Sequence, residues 1–290
     1  MAVDRAPVVV VGIDSSPESD AALDWVRAVC PDDARIVAVH AWELPLITGY
    51  DVVIPIDPAE IEQLAADGLN ERLAREDDDR LEPLVRQGHS GRALVHAAEE
   101  FEADAIVVGH RGKSRMSMML GSTANYVVHH SDRPVVVIRG DHIGPPERVV
   151  VGVDDHDLDE EHPENESVRA LRWAYALRGV QEVRVVHAWF LPALAAGMFT
   201  PMAADFERMD AAARKVVDHV VAAAGPPPEG VKVTCDAIRG TGGFGLIEES
   251  RDADLIVVGS RGRGGFTEAL LGSTSSEVAA HSHSPVVIVR

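Results

Sequence analysis

Residues 8–14 read "VVVVGID", and residues 149–154 read "VVVGVD". An unbroken apolar run of this length, with no polar alternation, suits a strand buried on both faces. Working outward, "ARIVAVHAW" at 34–42 returns as "VRVVHAWF" at 183–190. "ADAIVVGHRG" at 103–112 returns as "ADLIVVGSRG" at 253–262, and "SDRPVVVIR" at 131–139 as "SHSPVVIVR" at 282–290. The four matches keep one order, so the chain is two copies of one unit. The short Pro- and Gly-rich stretch "GDHIGPPERV" at 140–149 reads as the linker. It places domain one at 1–141 and domain two at 146–290.

Within the first copy, apolar runs alternate with amphipathic stretches. After "VVVVGI", Ser15 or Ser16 can cap a helix whose apolar positions Ala22, Trp25, Val26 and Val29 recur at helical spacing. "RIVAVHAW" is the second strand, "DPAEIEQLAADGLNERLARED" a charged helix and "LEPLVRQG" a third strand. "SGRALVHAAEEFEA" is a helix, "DAIVVG" a fourth strand, "GSTANYVVHHS" a helix and "RPVVVIR" a fifth strand. This alternation predicts an α/β fold, two tandem Rossmann-like domains. Each is a five-stranded, mostly parallel sheet with helices on both faces. Ligands of such sheets lie at the carboxyl ends of strands, near a topological switch point. Asp14 and the segment Gly109–Ser122 share one such end. Asp154 and Gly259–Ser273 share the other.

Composition narrows the function. At 290 residues and 46% hydrophobic, the chain can bury two ordinary cores. A formal net charge of −20 argues against a broad nucleic-acid or anionic-membrane face. It leaves room for a small anion held locally by backbone amides. Cys30 and Cys235 sit in no metal or redox motif, which suits a reducing compartment. The start shows no signal peptide and no run of membrane-spanning length, so a cytoplasmic location is expected.

The segment "VVGSRGRGGFTEALLGST" at 257–274 carries the chemistry. Gly259 and Gly262 open a loop, and Gly272, Ser273 and Thr274 close it before a helix. Glycines permit close approach to the main chain, and successive amides form an anion nest. Ser273 and Thr274 add hydroxyls at a helix N-terminus. Arg261 and Arg263 either offset phosphate charge or face water. The plainer reading is also open: glycines are common turn formers, and Ser or Thr before a helix is commonly only a cap. "GKS" at 112–114 is not a Walker A motif, since position 107 is valine. "GIDSSP" lacks the GxGxxG turn.

These features together resemble the universal stress protein family in its tandem, ATP-binding form. Gly259, Gly262, Gly272 and Ser273 match its G-x2-G-x9-G-[S/T] motif. "VVGIDSS" and "VHAW" match as well. The resemblance implies an adenine near Asp14 and Ala41 in domain one, and near Asp154 and Ala188 in domain two. It implies ribose and phosphates, with Mg²⁺, on Gly109, Gly112, Gly121, Ser122 and Thr123, and on Gly259, Arg261, Gly262, Gly272, Ser273 and Thr274. It also implies an internal pseudo-dimer paired through the last strands, with further homo-oligomers open. Each copy departs from the pattern. Gly112 and Gly121 are one residue too close. The second copy inserts an acidic segment, "DHDLDEEHPENES", between Asp154 and Trp173. That segment either repels a triphosphate, swings outward or gathers a divalent cation.

No nucleophile–base–orienter set can be read. His40 and His187 read as crevice-wall residues. The histidines at 129–130 and 281–283 suit helix C-termini. No metal-ligand set converges. The expected function is therefore ATP binding with little or no turnover, as a nucleotide-dependent stress-response regulator. The alternatives are an interaction module without tight nucleotide binding, to which Met116, Met118 and Met119 would contribute, and a slow ATP hydrolase.

Overall fold

A computed structural model describes residues 5–44, 57–111, 120–140, 144–156, 164–190, 203–261 and 271–290. Gly112, Gly262, Arg263, the three methionines at 116–119 and most of the acidic insertion lie outside these residues. The chain falls into two compact units, residues 1–116 with 121–135, and residues 117–120 with 136–290.

In the first unit, β1 (Val8–Gly12) is followed by α1 (Pro17–Val29), β2 (Arg35–Trp42) and α2 (Pro58–Leu73). Then come β3 (Leu81–Gln87), α3 (Ser90–Glu100), β4 (Ala105–Gly109) and α4 (Ser122–His130). The strands run parallel in the order β3-β2-β1-β4. The order reverses between β1 and β4, so the switch point lies there. Val8–Val11 and Ile106–Val108 are buried throughout, as their unbroken apolar runs require. Pro83 sits in β3, at the sheet edge, where a missing N–H is tolerated. β5 (Val135–Ile138) follows, all four of its residues buried.

The second unit repeats the pattern with β6 (Arg148–Gly152), α5 (Glu166–Ala176), β7 (Glu182–Trp189) and α6 (Ala203–Ala224). It continues with β8 (Lys232–Arg239), α7 (Gly242–Glu249), β9 (Leu255–Gly259), α8 (Ser273–His281) and β10 (Val286–Val289). The order β10-β9-β6-β7-β8 is again parallel, with the reversal between β6 and β9. The fold is the α/β arrangement expected from the sequence.

Helix starts follow from local chemistry. Ser16, not Ser15, caps α1: its hydroxyl accepts from the Ser19 amide, with Pro17 at the first helical position. Ser15 takes a left-handed φ of 62°, which tightens the turn out of β1. At the other end of the pattern, His129 and His130 cap the last turn of α4. Their Nδ1 atoms lie 2.7 and 2.8 Å from the carbonyls of Asn125 and Tyr126.

Candidate functional site

Each unit brings three chain segments to the carboxyl ends of its switch-point strands. In the first, the Ile13 amide donates to the Val39 carbonyl at 2.9 Å, and His40 Nδ1 lies 2.8 Å from the Ile13 carbonyl. These contacts hold the end of β2, and so Ala41, beside Asp14. On the other side of β1, Gly109 closes β4. The Gly121 amide donates to the His110 carbonyl at 2.8 Å, which seats the start of α4 against that strand end. Asp14, Ala41, Gly109, Gly121, Ser122 and Thr123 therefore border one end of the sheet.

The second unit repeats these ties. His187 Nδ1 lies 2.7 Å from the Val153 carbonyl, and the Gly272 amide donates to the Ser260 carbonyl at 2.7 Å. Asp154, Ala188, Gly259, Gly272, Ser273 and Thr274 border the equivalent end. A carbonyl can only accept, so Nδ1 carries the proton in both histidines. His40 and His187 thus join strand two to the residue after strand one.

Asp14 builds a turn as well as facing the strand end. Its Oδ1 accepts from the Ser16 amide at 3.0 Å and from the Ser16 hydroxyl. Its own amide donates to Ser19 Oγ at 3.3 Å. In the second unit the Asp154 amide donates to Ser167 Oγ at 2.8 Å, and Asp154 Oδ1 accepts from the His156 amide at 2.8 Å. Ser19 and Ser167 escape sequence reading, because a serine in a helix's first turn looks ordinary. The signal is the repeat itself: "ES" precedes the helix tryptophan by the same spacing in both copies, at 18–19 and 166–167.

The acidic insertion leaves this turn intact. Asn165 caps α5 by accepting from the Val168 amide at 2.9 Å. Its Nδ2 donates to the carbonyls of Asp154 and His156 at 3.0 and 2.9 Å. One side chain therefore ties both ends of the insertion, and the end of β6 keeps the geometry of β1.

Gly109 and Gly259 have a structural cause that differs from close approach by a ligand. A Cβ on Gly109 would lie 2.6 Å from the Glu18 carbonyl oxygen, and one on Gly259 would lie 2.9 Å from Glu166 Cβ. The close neighbour is the first turn of the helix packed on that strand. Gly121 and Gly272 are the N-caps of α4 and α8. Neither helix has a side-chain cap, a lack they share with α3 but not with α1, α2, α5 and α7. First-turn amides of α4 and α8 are thus left without a capping side chain. Thr123 Oγ1 is 2.6 Å from Ser90 Oγ, which ties α4 to α3. Arg261 is held by Glu166: its amide donates to Oε2 at 2.5 Å, and its Nε lies 3.4 Å from Oε1. Arg111, its counterpart, has a buried Nε with no hydrogen-bond partner.

The chain matches the universal stress protein family twice, over residues 7–139 and 146–290. The chain belongs to the universal stress protein family. A universal stress protein of Mycolicibacterium smegmatis is 31% identical over 97% of this chain and 96% of its own length. One from Mycobacterium tuberculosis is 28% identical, again over 97% and 96%. Among solved structures, a universal stress protein from Archaeoglobus fulgidus superposes with a TM-score of 0.64 at 22% identity, covering 98% of both chains. That likeness shows the tandem fold. Among the described residues of this universal stress protein, no helix is long and apolar enough to cross a membrane, and no group of three His, Cys, Asp or Glu could hold a metal.

Proposed function

We propose that this universal stress protein binds an adenine nucleotide, ATP with Mg²⁺, at its strand ends and acts as a nucleotide-dependent stress-response regulator with little or no turnover. The observation that carries the reading is the start of α4 and α8. Both helices begin at a glycine, without a side-chain cap, against the end of a switch-point strand. Open first-turn amides favour phosphate through their N–H groups and the helix dipole. The buried, unmatched Arg111 Nε is a further donor at the same strand end. The residues present therefore fit a nucleotide's phosphates.

Asp14 and Asp154 each use one oxygen on a backbone amide. Their place beside Ala41 and Ala188 suits them to an adenine or ribose group. A magnesium ion would arrive on the phosphates rather than in an all-protein cage. His40 and His187 have Nδ1 committed to a carbonyl, a wall-building contact rather than that of a general base.

The same proposal includes two domains, 1–141 and 146–290, paired through β5 and β10 in a cytoplasmic protein. Light scattering reads whether two such chains then join.

The reading is tested by acid extraction of freshly purified protein, with the released material identified by chromatography and absorbance. Co-purified adenine nucleotide supports it. A second reading, an interaction module without tight nucleotide binding, is favoured by Phe190 and Phe244, exposed at 54% and 59%. It gains if the extract is empty and added nucleotide does not bind.

A further inference from the structure

In the second copy a carboxylate sits on the residues that follow the switch-point strand, whereas among the described residues the Nε of Arg111 in the first copy has no acceptor. Glu166 is the first residue of α5. Its Oε2 accepts from the Ser260 hydroxyl at 2.9 Å and from the Arg261 amide at 2.5 Å, and its Oε1 lies 3.4 Å from Arg261 Nε. One carboxylate thus engages a hydroxyl, a backbone amide and a guanidinium. Those are the three donor types that grip a phosphate oxygen. The Glu166 side chain is 15% exposed and that of Arg261 46%, so the carboxylate is shielded while the ion pair is partly screened by water and salt.

The first copy is the internal control. The tryptophans Trp25 and Trp173 align Glu18 with Glu166, and the ends of β4 and β9 align Arg111 with Arg261. Among the described residues no hydrogen bond joins the Glu18 carboxylate to Arg111, whose Nε is buried without a partner. His110 stands where the second copy has the Ser260 hydroxyl. A buried charged donor without an acceptor is unfavourable, and an incoming anion relieves it.

We propose that Glu166 is a resident anion that holds the phosphate donors of the second site, so that the first site takes an anionic ligand ahead of the second. The inference rests on reading the two strand ends as phosphate-binding. It turns two similar sites into unequal ones. At the first, a phosphate meets a guanidinium whose Nε has no acceptor. At the second, it must displace a carboxylate or bear its repulsion. The complete glycine motif of the second copy therefore does not mark the tighter site.

The test uses the full chain labelled with ¹⁵N and deuterium, titrated with sodium tripolyphosphate, with the amides of Arg111 and Arg261 followed separately. The Arg111 midpoint is expected about tenfold below that of Arg261, the scale of one charge-assisted contact. Glu166→Gln should bring the Arg261 midpoint down to the Arg111 range and leave Arg111 unchanged. Glu166→Ala, which removes the carboxylate altogether, should do the same. Equal midpoints in the unaltered protein, an Arg261 midpoint unmoved by either variant, or no shift at either amide would overturn the proposal. A Mg·ATP titration of the same samples separates the two readings. If tripolyphosphate behaves as expected and ATP gains nothing from its base, the nucleotide reading falls and the resident anion stands.

Discussion

Gly109→Ala is the sharpest test of the packing that positions the site. The added Cβ would lie 2.6 Å from the carbonyl oxygen of Glu18, 2.7 Å from its carbonyl carbon and 2.8 Å from its Cβ. Two of these atoms are backbone, so no side-chain rotation relieves the overlap. The first turn of α1 must move off β4 by several tenths of an ångström, and Asp14 and Ser16 move with it. Overpacking of this kind costs about 1–3 kcal/mol. Alanine returns roughly 0.5–1 kcal/mol by restricting the unfolded chain. The net loss is centred on about 1 kcal/mol and reaches about 2.5 kcal/mol at most, so the transition of a unit this size should fall by about 2–4 °C. Gly68→Ala is the matched control. It lies inside α2 with nothing within 4 Å of the added Cβ, and should raise stability by roughly 0.5–1 kcal/mol. Differential scanning calorimetry reads both variants. A Gly109→Ala transition at or above that of the unaltered protein would refute the claim that helix packing fixes this glycine.

Three further outcomes follow from the first copy. Burial pushes the Cys30 thiol up to about 11, so alkylation at pH 8 should label it far more slowly than an unfolded-chain cysteine. Mass spectrometry of a labelling time course checks this, and rapid labelling of Cys30 would contradict it. Hydrogen bonds from Arg80, and then from Arg27, hold the Asp78 carboxyl well below the usual carboxylate range. A depressed folded value means the stabilisation is complete above about pH 4 and is lost as pH falls below it. Asp78→Asn should therefore cost about 1–3 kcal/mol at pH 7, with the gap closing in acid, as urea unfolding at several pH values will show. Ser15→Gly relieves a left-handed φ of 62° and should stabilise by roughly 0.5–1 kcal/mol; no gain in the urea midpoint would argue against strain in that turn.

Much of the architecture was legible because parallel strands write themselves as unbroken apolar runs. "VVVVG" and "AIVVG" could be placed without tertiary information, and the repeat fixed their order in both copies. The cap of α1 was narrowed to two serines, and the structure selects Ser16, with Pro17 at the first helical position. What stayed hidden depends on contacts between distant segments. Gly109 reads as loop chemistry, yet its close neighbour is the backbone of α1, about ninety residues earlier. Arg261 reads as a charge for phosphate or a side chain facing water, yet Glu166 engages it from α5. The acidic insertion reads as a disturbance of Asp154. Asn165, at the insertion's far edge, clamps both of its ends and preserves the turn.

The central claim is tested most directly by isothermal titration of Mg·ATP into nucleotide-free protein, with Gly121→Asp and Gly272→Asp alongside. Aspartate at either N-cap keeps the helix capped while taking the first-turn amides for itself. The account predicts saturable binding whose tighter component is lost with Gly121→Asp and kept with Gly272→Asp. An absence of heat together with no co-purified nucleotide, or binding indifferent to both variants, would contradict it.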